Sequence, residues 1–463
     1  MHVKMVASLG PSAQSPELVE RMASLGVRGF RINFAHGGPR LWDRLVENVR
    51  SAEEKIGKPL ALIGDLVGPS IRVGVLEEPV VLNPGGKARF VYAEKAEGGR
   101  EAVIPLPIRR FFEALEEGDI LVMDDGRVRL RVTEVSGSEV VVEALTPARI
   151  SSRKAVVVLG KDLGLPAITM KDLHDIEYAI ARGFDYISLS YVREPDDMRV
   201  LRDIVRRKGG GQALAAKIEN RSAVENLPGI VEEADLVIVA RGDLGMNYGL
   251  EEIPALQERI VEETRRRGKP VVVATQILES MINSPAPTRA EVTDVYVAVA
   301  QGVDAVMLTG ETAIGRYPLE AVRWLRRIIR RAEASARIPR YKPMDGRWAY
   351  AHSAVEAAEA LGAKMLLAYS VNGTLPPKLA ASRPLPPVAV GTASERIARR
   401  LATLWGLEPI YIGASGYEEG LERLEKLLCS TGGLSIGDLV VETYRVGEES
   451  RVAIKRMMNC GST

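Results

Sequence analysis

ALAAKIEN, residues 213–220, is a short apolar run that ends in Lys217-Ile218-Glu219. Side chains of a strand alternate faces, so Lys217 and Glu219 point the same way. A cation and a carboxylate then leave one strand end side by side. Taken alone, such a K-x-E is most simply a surface strand carrying a salt-bridged pair. The rest of the chain changes its weight, because other short apolar runs also end in polar, chemically capable residues. These runs are Lys4–Ser8, Val27–Asn33, Leu60–Asp65, Asp185–Tyr191, Leu236–Asp243, Pro270–Thr275 and Ala305–Gly310.

Amphipathic segments such as Ser15–Leu25 and Ile253–Arg267 lie between most of the runs. Strand and helix in regular alternation signal a parallel sheet with crossover helices. Eight such units predict an α/β fold of the TIM (β/α)8 type. Six of the seven start-to-start steps are about 23 to 35 residues, normal for a βα unit. The exception follows the third run, where the step is several times longer. Its residues 70–165 carry short β-rich stretches between Pro-Gly-Gly, Asp-Gly and Ser-Gly turns, the texture of a small all-β domain. The expected catalytic domain is therefore residues 1–69 and 166–338, with a β lid at 70–165 inserted after strand three. A Pro-rich linker at Pro339–Pro343 leads to a second α/β domain over residues 346–463.

Composition bounds the function. The 463 residues carry 46% hydrophobic and 27% charged side chains with a net charge of +1. That balance suits a soluble globular protein and gives no support for nucleic-acid or membrane partners. No apolar run approaches the roughly 20 residues of a bilayer span. The N-terminus is too polar for a secretory signal, so the cytoplasm is the expected compartment. The only two cysteines, Cys429 and Cys460, match no metal or redox spacing, and a reducing cytosol is the simplest account of them. Arg-rich helices such as Arg323–Arg337 lean towards a thermophile.

Functional groups of a TIM barrel sit at the C-terminal strand ends. Those ends read Arg31 and Asn33, Asp65, Lys217 and Glu219, Arg241 and Asp243, Thr275, and Thr309 with Glu311. A barrel mouth faces water and is polar anyway, but that accounts poorly for cations and carboxylates converging together. Glu219 and Asp243, on neighbouring strands, suit one hard cation such as Mg2+, which takes one or two carboxylates and keeps waters. Arg31 and Lys217 suit a phosphate, one by its fork and the other as a point charge. The backbone at Arg241-Gly242-Asp243, opening a helix, would add amide donors. This is a phosphoryl-transfer set, and a carboxylate or enolate would use it equally. No Walker-A or protein-kinase glycine loop is present. A lid hinged at Gly64-Asp65-Leu66-Val67-Gly68-Pro69 would exclude water from the mouth.

Six segments together resemble pyruvate kinases. They are RINFAHG (31–37), GDLVGPSIRVG (64–74), AAKIEN (215–220), VARGDLG (239–245), ATQILESMINSPAPTRAE (274–291) and MLTGETAIGRYPLEAV (307–322). They span the barrel in order, and the fifth is highly specific. The resemblance implies transfer of phosphoryl from phosphoenolpyruvate to ADP, with Mg2+ or Mn2+. It implies that Lys217 stabilises the transferring phosphoryl and the enolate, and that Arg31 binds the phosphate. Glu219 and Asp243 become the divalent-metal ligands. Gly242 and Thr275 become contacts to the substrate carboxylate, Thr275 near the carbon to be protonated. Asn33, His36, Arg72 and Lys154 fall on the nucleotide side, Lys154 reaching in from the lid. A homotetramer is also implied.

Three positions depart from the family pattern. Asp65 stands at a monovalent-cation position, yet Ala35 and Leu66 replace side-chain oxygen ligands there, and Ser70 replaces the usual glutamate. K+ is therefore not expected to be required. The chain also starts almost directly at strand one, without the N-terminal helical extension of larger members. In the C-terminal domain, the turn Ser370, Val371, Asn372, Gly373, Thr374 sits where family members bind phosphorylated allosteric effectors. An ordinary Asn-Gly turn accounts for it about as well. Two other classes share parts of this pattern: a Mg2+-dependent aldolase or lyase acting on pyruvate enolate, and a non-catalytic phosphometabolite sensor.

Overall fold

The computed structural model describes residues 1–96, 102–124, 126–446 and 449–460. Eight parallel strands close into a barrel in sequence order. They are Lys4–Leu9, Val27–Asn33, Ala61–Asp65, Tyr186–Leu189, Ala213–Ile218, Leu236–Ala240, Val271–Ala274 and Ala305–Leu308. Strand one pairs with strand eight, Lys4 opposite Ala305, which completes the ring. The strands read as near-continuous apolar runs because both of their faces are buried. The inward residues, among them Val6, Ile63, Tyr186, Ile238 and Met307, fill the barrel. The outward ones pack against the crossover helices, whose buried stripes include Leu45 and Val49 of Pro39–Ile56.

After strand three the chain leaves the barrel. A six-stranded sheet and a two-stranded sheet follow, with a short helix at Arg109–Ala114 among them. They enclose a separate core that includes Phe90, Phe111, Leu121 and Val140. The lid is tied to the barrel where the chain leaves and where it returns. Thr169 and Asp172 form a capping box at the start of helix Met170–Ala181. The second oxygen of Asp172 accepts hydrogen bonds from the departing amides of Val67 and Gly68, at 3.0 and 3.2 Å. Gly68 itself has φ +65°, and a Cβ there would stand 2.8 Å from the carbonyl oxygen of Ser190. Only glycine fits that turn without displacing the chain behind it.

The C-terminal sheet has five strands, in the order Leu407–Tyr411, Val388–Thr392, Met365–Tyr369, Leu439–Val446, Glu449–Arg456. The first four are parallel and the last is antiparallel. This domain docks against the N-terminal ends of the barrel strands, opposite the mouth. Lys4 Nζ donates to the carbonyl of Leu407 at 2.7 Å, and the Tyr186 hydroxyl donates to the carbonyl of Arg400 at 3.0 Å. Arg383 grips Asp304 with both terminal nitrogens, at 3.1 and 2.8 Å.

The structure corrects one expectation. Cys429 and Cys460, 31 residues apart in sequence, are joined in a disulfide, which the simple picture of thiols in a reducing compartment did not anticipate. The bond fastens the segment after the last strand to the end of helix Tyr417–Ser430. No spacing rule foretells such a pair, because only the fold brings the two residues together. Reduction is expected to lower the stability of the C-terminal domain by about 2–4 kcal/mol, the usual range for a disulfide closing such a loop. Calorimetry with and without dithiothreitol, and of Cys429→Ser, checks this; an unchanged melting profile would be the contrary result.

Candidate active site

The strand ends converge as their alternation requires. Lys217 Nζ, on strand five, lies 2.7 Å from Glu219 Oε1 and 3.7 Å from Asp65 Oδ2. It donates to Ser190 Oγ at 2.9 Å, and that hydroxyl donates in turn to the carbonyl of Leu66. From strand two, Arg31 donates to Asp65 Oδ2 through Nε at 3.1 Å and Nη2 at 2.5 Å, and through Nη1 to Ser8. Asp65 therefore sits between two cations. Burial favours its neutral form, but Arg31 and Lys217 together outweigh this and hold its carboxyl below the ordinary range. Burial likewise works against the Lys217 ammonium. The charges of Asp65 and Glu219 overcome it, so the lysine stays protonated.

Glu219 stands differently. It is fully buried, and burial pushes its carboxyl up to about 7; Lys217 offsets this only in part, and Asp243 adds a smaller repulsion. Its Oε2 accepts the backbone N–H of Tyr191 at 2.7 Å, while Oε1 faces Lys217 and receives no well-directed hydrogen bond. Asp243 lies in the first turn of helix Arg241–Asn247, and its Oδ1 accepts from the Tyr191 hydroxyl at 3.0 Å. The amide nitrogen of Asn247 donates to the backbone carbonyls of both Glu219 and Asp243, each at 3.0 Å. Two carboxylates that follow neighbouring barrel strands are thus held together from two sides.

Thr275 closes strand seven with φ +67°, and Gln276 follows at +52°. A β-branched residue in the left-handed region is a conformational outlier and needs its surroundings to hold it. Arg241 supplies them. Its buried guanidinium donates to the carbonyls of Thr275 and Gln276 and pairs with Asp294 at 2.6 Å. Thr275 Oγ1 accepts the amide N–H of Gly242 at 2.8 Å. Arg241, read from the sequence as a strand-end residue at the mouth, is therefore a brace for strand seven.

These residues share a cavity of about 310 Å3 that the lid roofs. Arg31, Asn33, Asp65, Lys217, Glu219, Asp243, Thr275 and Thr309 line it from the barrel, and Arg72 and Lys154 from the lid side. His36 and Gly242 lie outside the lining. Burial, with the charges of Arg72 and Arg31, holds the His36 imidazole below its ordinary range, so it stays neutral. Asn33 Oδ1 accepts from the amide of Ala35, an arrangement that shapes the RINFAHG turn. Lys154 pairs with Asp124 at 2.7 Å. Asp124, Arg153, Ser190 and Tyr191 also line the cavity, and sequence reasoning passed over them. Ser190 and Tyr191 end strand four, where a search confined to charged types finds nothing.

The turn after Met365–Tyr369 lies at a second cavity of about 300 Å3, shared with Arg347, Tyr350, Tyr417 and Tyr444. Ser370 Oγ accepts from the amide of Gly373, and Asn372 Oδ1 accepts from the amide and hydroxyl of Thr374.

A (β/α)8 barrel with a lidded mouth, where paired carboxylates face an arginine and a lysine, defines an enzyme of anionic, phosphate-bearing substrates. Residues 1–322 match the barrel domain of pyruvate kinase, and residues 349–453 match its alpha/beta domain. The chain is 43% identical over 430 residues to a pyruvate kinase of Aeropyrum pernix, covering 92% of each. It is 41% identical to one of Pyrobaculum aerophilum, again over 92% of each chain. The crystal structure of the Pyrobaculum aerophilum pyruvate kinase superposes with a TM-score of 0.86 at 39% identity, covering 98% of both chains. The chain belongs to the pyruvate kinase family.

Proposed function

We propose that this chain transfers the phosphoryl group of phosphoenolpyruvate to ADP, giving pyruvate and ATP, as a glycolytic phosphotransferase. One observation carries the reading: Arg31, Lys217, Glu219 and Asp243 meet in a single cavity that also holds Lys154 and Asp124 of the lid. The rival aldolase or lyase would need no such lid. We read residues 1–69 and 166–338 as the catalytic domain, 70–165 as the lid and 346–463 as the regulatory domain.

Lys217 and Arg31 are already fixed on Asp65, so an incoming phosphate meets two oriented cations. Their charge stabilises the phosphoryl group in flight, and Lys217 also stabilises the enolate oxygen as the phosphoryl group leaves it. Gly242 and Thr275, now bonded to each other, would turn to the substrate carboxylate. Asn33, His36, Arg72 and Lys154 face the nucleotide. Closed over the mouth, the lid would exclude the water that would otherwise take the phosphoryl group.

Glu219 and Asp243 fit a divalent cation. A buried carboxyl pushed towards its neutral form, beside a second carboxylate, is an environment that a positive charge relieves. Among the described residues no cluster of three or more metal-ligating side chains occurs. Mg2+ or Mn2+ needs no third protein ligand, because waters and substrate oxygens complete the shell. When bound, the metal would neutralise charge shared by substrate carboxylate, enolate oxygen and phosphate. A coupled assay for pyruvate from phosphoenolpyruvate, with and without ADP and Mg2+, tests the reading. Pyruvate formed only with both ADP and Mg2+ supports it; pyruvate formed without ADP would mean hydrolysis of the phosphate ester, and none in any arm would overturn the reading in favour of a lyase or a sensor.

Asp65 is engaged by Arg31 and Lys217, while Ala35 and Leu66 offer no side-chain oxygen beside it. Activity in K+- and Na+-free Tris buffer is expected to be unchanged by KCl; a many-fold rise would contradict this. The Ser370–Thr374 turn, with Arg347 in the same cavity, is read as the seat of a phosphorylated effector. A homotetramer, a cytoplasmic location and a thermophilic source complete the proposal. The disulfide and the Arg-rich helix Pro318–Glu333 support the last, since intracellular disulfides are a hyperthermophile trait.

A further inference from the structure

Tyr191 belongs to neither charged group at the mouth, yet it touches both carboxylates. It follows strand four with φ +56°, a region that bulky side chains rarely enter. In that conformation its amide N–H meets Glu219 Oε2 at 2.7 Å and its hydroxyl meets Asp243 Oδ1 at 3.0 Å. The two carboxylates come from different strand ends, so only a residue between them can set both at once. Asn247 binds the same two residues through their backbone carbonyls and leaves the carboxylate oxygens alone. Tyr191 instead holds one carboxylate oxygen of each, Glu219 Oε2 and Asp243 Oδ1. The other oxygen of Glu219, Oε1, faces the Lys217 ammonium at 2.7 Å and receives no well-directed hydrogen bond.

We infer that Tyr191 is a positioning residue that sets the spacing and orientation of Glu219 and Asp243 for a divalent metal ion. The inference rests on the reading of those two residues as metal ligands. Partners that orient metal ligands from behind are typically worth 10–100-fold in affinity.

The test uses Mn2+ as the probe. Free Mn2+ is measured by electron paramagnetic resonance against the full-length protein without substrate, for the wild type, Tyr191→Phe and Glu219→Gln. Tyr191→Phe keeps the ring and the backbone amide and removes only the hydroxyl. Its Mn2+ dissociation constant is expected to rise about tenfold. In turnover, half-saturating Mg2+ should rise while kcat at saturating Mg2+ changes little, a split that a general loss of folding would not produce. Thermal denaturation should match the wild type. If Glu219→Gln still binds Mn2+ as the wild type does, the ligand assignment falls and the inference with it. If Glu219→Gln loses Mn2+ but Tyr191→Phe binds it unchanged or more tightly, the assignment stands and the role of Tyr191 is overturned.

Discussion

Lys217→Met is expected to lower turnover by about 10²–10³-fold, the scale for removing one preorganised donor from a developing anion. Affinity for phosphoenolpyruvate should change far less, because Arg31 remains on Asp65 to receive the phosphate. The reason is differential. A charge aimed at the oxygen that becomes an enolate acts most strongly in the transition state, and so appears in kcat. Lys217 is also well prepared for this. Its Nζ is fixed by Ser190, Glu219 and Asp65, so no reorganisation is needed when charge moves. Lys217→Arg keeps the charge but replaces a point ammonium by a planar fork, and should recover only part of the rate. Steady-state kinetics at saturating Mg2+ decides the matter. A methionine variant with near-normal kcat would remove Lys217 from the mechanism.

Arg383→Met is expected to destabilise the docking of the C-terminal domain by about 3–5 kcal/mol, the cost of stranding a buried charge. The Arg383 and Asp304 side chains are only 2% and 1% exposed. Asp304 precedes strand eight and also accepts the backbone amides of Val271 and Trp405. Arg383 further donates to the carbonyl of Gly302 and lies over the Trp405 ring at 4.9 Å. One pair therefore ties strands seven and eight to the C-terminal domain. Removing the arginine leaves a carboxylate with two amides and without its directly bonded counter-charge, the Arg265 guanidinium acting on it only through space. Asp304→Asn with Arg383→Met should cost clearly less than the single arginine variant, because no net charge is then left behind. Calorimetry is the measurement, since a multidomain chain need not unfold in one step. A single variant with wild-type melting would show that the pair is replaceable by water.

Much of the fold was legible because its signals are local. Each barrel strand is a short apolar run: strand one goes one residue past its run, to Leu9, strand two matches its run, and the other six are trimmed at their ends. Leu236–Asp243 shows why the trimming occurs. The strand stops at Ala240, where Arg241 begins a helix, and the polar end of the run belongs to that helix. The inserted β segment was visible as a break in spacing and as a change of turn chemistry. The short helix Arg109–Ala114 was not, since six residues carry too little period to read.

The candidate site divides in the same way. Lys217 and Glu219 are two residues apart at the end of one strand, Glu219 just past its last residue, so their pairing follows from extended-chain alternation. The salt bridge that K-x-E first suggested is present at 2.7 Å, within a larger cluster. Asp65 could be placed at the mouth, but not between Arg31 and Lys217, because three strands must close to bring them together.

Alternation, turn residues and run spacing act over a few residues and are written in the chain. They determined a (β/α)8 barrel, an insertion after its third strand and the polar residues at its mouth. Contacts set by register between distant strands are not written locally. Tyr191 under both carboxylates, Arg241 behind Thr275, Arg383 on Asp304 and Cys429 on Cys460 all depend on barrel closure or domain docking. Only the tertiary structure decided them, because a partner tens or hundreds of residues away leaves no period to read.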